Sequence, residues 1–314
     1  MMSRRTSCLV VVSAPLLFLT GALCAGESDT VFRDGFEPPG FAVRTPDFEV
    51  APGSEGTWCY YFRLANTDAL AIRRLTSTMS SGIHHLVLFT SEQEIQPPGS
   101  LTQGPCAGGG EVPDWNYATQ DLEGVLDLPD DDGSGKPLAI EFAPQQPAFL
   151  EMHVVNASSK AITASSSLAA EALAPGLDYT RTATYLTTNI NLSIPPFAVG
   201  YTVEETCPTP DGATFWWLTT HTHRFASLAE VRDGDVSLVE STDWEHPEVA
   251  TFPLPAGHVF ASGGLTYRCT YDNPTAAPIT YGESELLDEN CIAIGYFFPA
   301  DQGARYCVNN IGPL

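Results

Sequence analysis

The sequence predicts an all-β protein built as two β domains in tandem, and three observations carry that prediction. The 25 prolines and 26 glycines are spread through the whole chain. The stretches between them are short and rich in Val, Ile, Thr, Tyr and Phe, which is strand composition. Helical periodicity is almost absent.

The strand candidates follow in chain order: Thr57 to Leu64 (TWCYYFRL), Ile83 to Thr90 (IHHLVLFT), Ala148 to Asn156 (AFLEMHVVN), Phe215 to His223 (FWWLTTHTH) and Leu265 to Tyr271 (LTYRCTY). Only Ser167 to Leu173 (SLAAEAL) strings helix formers together, just before Pro175 and Gly176, and it reads as an interdomain connection or a short helix. With 314 residues, enough for two ordinary cores, the expected division is a first domain over 26–172 and a second over 173–314. Gln96 to Gly110 and Leu128 to Pro137 read as loops. The second contains DDDGSGK (Asp130 to Lys136), an acidic turn that lacks the closing glutamate of a calcium loop.

Residues 1–25 have the form of a secretory signal: Arg4 and Arg5, an apolar run from Cys8 to about Leu23, then small residues at Ala22 to Gly26. A lipoprotein cysteine at Cys24 is the competing reading, and the bulky Leu23 before it argues against it. No later apolar stretch approaches the ~20 residues that span a bilayer, so the expectation is an exported, periplasmic or secreted chain without a transmembrane segment. Its formal net charge of −24 opposes binding to nucleic acid or anionic membranes.

Six cysteines follow the signal: Cys59, Cys106, Cys207, Cys269, Cys291 and Cys307. An even number in an oxidising compartment favours three disulfides. No pair is spaced CxxC, which argues against a zinc ribbon, and spacing alone leaves the pairing open.

Seven histidines occur, and five fall in tight groups: His84 with His85, His153 alone in LEMHVVN, and His221 with His223 in His-Thr-His. Strand residues two apart share a face, so His221 and His223 are placed to converge on one ion. Adjacent His84 and His85 share a face only where the strand bulges, and Gly82 makes that departure easier. Imidazole suits copper and zinc alike, and an all-histidine set in an oxidising compartment leans to copper. His246 and His258 lie in turn-like sequence and read as surface residues.

These residues resemble the copper type II, ascorbate-dependent monooxygenases, the family of peptidylglycine alpha-hydroxylating and dopamine beta-monooxygenases. The resemblance runs from about Cys59 to Pro299. It rests on a cysteine upstream of His-His, the LxMHxxN strand, His-Thr-His and the stretch YRCTYDNPTAAPITYGESELLDENCIAIGYFFP from Tyr267.

The resemblance implies two jelly-roll-like β sandwiches, with two copper ions per chain facing a solvent-filled cleft. It implies His84, His85 and His153 as ligands of an electron-transfer copper, and His221 and His223 as catalytic ligands of the copper that activates oxygen. It further implies disulfides Cys59–Cys106, Cys207–Cys307 and Cys269–Cys291, and a small-molecule substrate with a reductant such as ascorbate.

Two departures matter. The family's methionine ligand falls at Asn290, within Glu289-Asn290-Cys291; the remaining methionines, Met79 and Met152, lie elsewhere. The positions that hold a peptide carboxylate in the family fall at Thr219, Ile292 and Ile294, which argues against a peptidylglycine substrate. The expected function is therefore copper-dependent hydroxylation of a C–H bond by O2 and an external reductant. The alternative is a non-catalytic copper-binding or copper-delivery protein of the same fold.

Overall fold

The computed structural model describes residues 39–107 and 112–313; the expected signal, including Cys24, lies outside the described residues. Among the described residues there is no helix, so nothing helical is long and apolar enough to cross a membrane.

The first half packs two sheets. One runs Gly40–Arg44, Ser166–Ala172, Leu70–Met79, Leu138–Phe142 and Thr180–Arg181, with Glu123–Asp127 also paired to Leu70–Met79. The other runs Leu101–Gln103, Glu55–Arg63, Pro147–Val155, Ile83–Thr90 and Asp114–Thr119. Strand alternation decides the core: Leu86 and Leu88, with Leu150, Met152 and Val154, turn inward to meet Ile72, Leu75 and Leu168 of the facing sheet. The second half repeats the plan, with Tyr185, Phe215, Leu218 and Phe297 packed on Val231, Tyr267 and Tyr271.

The segment read as a connection or helix is a strand. Ser166–Ala172 lies between Gly40–Arg44 and Leu70–Met79, and Ser166, Leu168, Ala170 and Ala172 are buried in strict alternation. That period of two lets tertiary pairing override the helix propensity of Ala, Leu and Glu. Thr180–Arg181 still pairs with Leu138–Phe142 in the first half's sheet, so the chain crosses between halves after Arg181, later than the expected 172/173 division.

The acidic turn closes on itself: Asp131 Oδ1 accepts the N–H groups of Gly133 and Gly135, and Asp132 Oδ1 those of Ser134 and Lys136. Asp132 also accepts the Thr180 hydroxyl at 2.6 Å, which ties this turn to the crossing.

All three disulfides implied by the resemblance are formed. Three such bridges belong to an oxidising compartment. The halves interlock: Trp216, Tyr296 and Phe298 of the second join the first core, and Tyr306 Oη accepts the Trp115 N–H at 2.8 Å while donating to Pro113 O.

Candidate metal centre

The outer faces of two sheets meet where the halves join. His85, Val87 and Phe89 alternate with the inward Leu86 and Leu88, as His153 alternates with Met152 and Val154. Opposite them, Trp217, Thr219 and His221 share the outer face of Thr214–His221.

His84 gains access to this face through a bulge. His153 pairs with His85 and the next residue, Val154, with Ile83, which leaves His84 as the extra residue. Gly82 just upstream has φ +98°, a conformation that L residues with a Cβ rarely adopt. The adjacent pair thus points to one place, as the departure at Gly82 predicted.

The arrangement gathers around a residue the sequence reading missed. Glu285, fully buried, places Oε1 3.2 Å from His84 Nδ1 and 3.3 Å from His85 Nδ1, and Oε2 3.4 Å from His223 Nε2. None of these contacts is aligned as a hydrogen bond: both Glu285 oxygens, both His84 nitrogens and His85 Nδ1 are buried without a hydrogen-bond partner. Buried polar groups are almost always satisfied. Two groups here are of coordinating reach, His84, His85 and Glu285, and His221, His223 and Glu285. Ligand atoms about 2.0–2.1 Å from a tetrahedral ion sit about 3.3 Å from one another, and the Glu285 oxygens stand at that spacing from His84, His85 and His223.

Electrostatics agree. Burial, ahead of the opposing effect of Glu285, lowers His85 to about 4; burial likewise lowers His221 and His223. Neutral imidazole is the ligand form. Burial works to raise Glu285, but the facing rings of His84, His85, His221 and His223 outweigh it and lower its carboxyl. That effect needs those rings to donate protons or carry charge, and a metal cation would replace it once they are neutral ligands. Among the described residues no lysine or arginine is paired with Glu285, and a buried anion among neutral rings is costly without a cation.

His153 is drawn into the same neighbourhood but not into a ligand group. Its ring stacks on His85 at 5.3 Å, and its Nε2 lies 3.0 Å from Glu55 Oε1. The expectation of two separated histidine sets on an open cleft also changes. The His85 and His221 rings are 5.5 Å apart, Trp244 stacks on His84 at 5.0 Å, and His223 is buried.

Hydrogen bonds fix the rings of the second pair. His221 Nδ1–H donates to Gln120 Oε1 at 3.1 Å, and His223 Nδ1–H to the Asp288 carbonyl at 3.2 Å. Each puts the ring proton on Nδ1 and leaves Nε2 unprotonated, the form that ligates a metal. Asn290 does stand beside His223, with Nδ2 2.8 Å from its Nε2, while Asn290 Oδ1 is buried and unpartnered. A half-turn of the amide exchanges the donor for an oxygen ligand. Glu289, whose carboxyl burial pushes up to about 7, accepts the N–H groups of His223, Phe225 and Asn290 and so pins the His-Thr-His turn to the Asn290 segment.

Beside His85 and His221 opens a cavity of about 300 Å³. Trp115, Tyr117, Trp217, Val249 and Tyr296 line it together with Thr219 and Ile294, two of the three positions where the family holds a carboxylate. His246 lies exposed on its rim, as a surface residue should. His258 does not: it is half-buried between Phe252 and Phe260, with Nε2 3.3 Å from Asp233.

No protein-family model matches the chain, and no curated protein matches it. Solved structures similar to it include PNGase F, a glycosylasparaginase from Flavobacterium meningosepticum (8% identity, 82% of this chain and 94% of that one, TM-score 0.36). The major capsid protein P2 of bacteriophage PM2 is similar at 8% identity over 80% of this chain and 97% of that one, TM-score 0.32. Similarity this distant says nothing about the candidate metal centre.

Proposed function

We propose that this chain is a copper-dependent monooxygenase that hydroxylates a C–H bond of an apolar small molecule, using O2 and an external reductant such as ascorbate. The observation that carries the reading is the junction of a buried His/Glu ligand set with the end of a cavity walled by aromatic and aliphatic side chains. Copper held by His84, His85, His221, His223 and Glu285 supplies one-electron redox chemistry with O2. Trp244 over His84 and the buried rings around it keep bulk water from the centre. The cavity walls orient the substrate by apolar contact, with its reacting carbon toward His85 and His221. No lysine or arginine lines the cavity among the described residues, so a neutral ring or chain suits it better than a carboxylate.

A second reading, copper binding without catalysis, is favoured by one observation. The Asn290 amide donates to His223 Nε2, the nitrogen needed for a metal, where the resembling family has a thioether. One experiment separates the two: ascorbate-driven oxygen uptake and labelled-oxygen incorporation into small aromatic substrates by the copper-loaded protein. Catalysis predicts uptake and label that His221→Ala abolishes; tight copper with neither supports the binding reading.

A further inference from the structure

We infer that Glu285 is a bridging ligand, joining the two histidine pairs into one dinuclear metal centre. The inference rests on the copper reading above and goes beyond it, because histidines alone would make two independent sites.

The two carboxylate oxygens are divided between the pairs. Oε1 faces the Nδ1 atoms of His84 and His85 at 3.2 and 3.3 Å, and Oε2 faces His223 Nε2 at 3.4 Å. Glu285 is the carboxylate common to both groups, with Oε1 toward His84 and His85 and Oε2 toward His223. One carboxylate can serve both only by bridging. Two-metal sites hold their ions about 3.5–4 Å apart, and rings 5.5 Å apart at His85 and His221 place the pairs close enough for that.

The alternatives for these atoms are poor. Neither oxygen has an aligned hydrogen bond, and the side chain is fully buried; an ionised carboxylate facing only neutral rings there would be destabilising. His153, the third ligand that the resemblance implies for the first pair, presents Nε2 to Glu55 and stands in neither group of coordinating reach. That leaves the third place beside His84 and His85 to Glu285.

The loop carrying Glu285 is held in position from the other half. Glu55 Oε1 accepts the Glu285 N–H at 2.6 Å, and Glu55 Oε2 accepts the Ser284 hydroxyl at 2.8 Å. The bridge is thus built where the two halves meet, and neither half contains it alone.

The test loads the full chain with Cu(II) and compares copper per chain with the electron paramagnetic resonance spin count. Two bridged Cu(II) ions are magnetically coupled. The expected wild type carries two copper ions with a spin count well below its copper content, and Glu285→Gln loses at least one copper and shows the remainder as isolated Cu(II). Two copper ions that both appear as isolated spins overturn the bridge but leave the copper reading standing. A single copper per chain, or a Glu285→Gln protein identical to wild type, also overturns the bridge. No bound copper overturns both readings. If Glu285→Gln fails to fold, judged by far-UV circular dichroism, the wild-type stoichiometry and spin count decide alone.

Discussion

Glu55 Oε1 lies 3.0 Å from His153 Nε2, so the histidine in the LEMHVVN strand is held by a carboxylate from the neighbouring strand. The same carboxylate accepts the Glu285 N–H and the Ser284 hydroxyl. Glu55 is therefore a positioning residue that touches one ring and the backbone of the residue opposite. Replacing a partner that holds a ligand typically costs 10–100-fold in metal affinity, and the proposed ligand that Glu55 holds is Glu285. Glu55→Ala is expected to weaken copper by about that factor in competition with a chelator. Affinity equal to wild type would remove Glu55 from the site.

Asn290 gives the second prediction. A thioether is softer than an amide oxygen and favours Cu(I), and Asn290 already stands 2.8 Å from His223. Asn290→Met should raise Cu(I) affinity by about tenfold or more, read with a colorimetric Cu(I) chelator. If affinity stays flat, the residue is no ligand.

The sequence showed where the histidines would sit but not how they would be used. The spacing of His221 and His223 and the break at Gly82 are local, and local geometry is what a strand pattern encodes. Glu285 was not legible because nothing in GESELLDENC distinguishes Glu283 from Glu285. Only the packing of one half on the other buries Glu285. The place of His153 beside Glu55 was not legible for the same reason, since Glu55 lies 98 residues away in the chain. Ser166–Ala172 failed differently: its alanines favour a helix, and alternation won because two strands flank it.

The Cys269–Cys291 bridge closes a loop with a sequence separation of 22 and ends next to Asn290. In the chain-entropy account such a loop contributes about 3 kcal/mol. The Cys269→Ser, Cys291→Ser double variant should lose about that much in denaturant unfolding, and should also bind copper more weakly. A stability loss with copper binding intact would show that the bridge acts on the fold alone.

Asp132 ties its turn to the crossing between the halves. Burial works to raise its pKa, but the Thr180 hydroxyl and the N–H groups of Ser134 and Lys136 outweigh it and hold the carboxyl at about 2, below the ordinary 3.8. A depressed carboxylate stabilises the fold above its unfolded pKa, and the contribution fades as pH falls through the folded value. Asp132→Asn should therefore be less stable near neutrality by about 0.5–1 kcal/mol, after allowing for solvent screening. The gap should close between about pH 4 and pH 2. A gap constant across that range would mean that the charge of Asp132 has no part in it.

The cavity makes the last prediction. Val125, on the strand Glu123–Asp127, is largely exposed yet forms part of the cavity wall. A tryptophan there adds bulk at the mouth, and Val125 belongs to neither core and to neither candidate ligand group. Pocket contacts of this size change discrimination by about 1–3 kcal/mol. Val125→Trp should lower kcat/KM for an aromatic substrate by about tenfold or more, mainly through KM, with copper content and melting temperature unchanged. If the rate falls while KM holds, or if copper is lost, the cavity is not the substrate's route to His85 and His221.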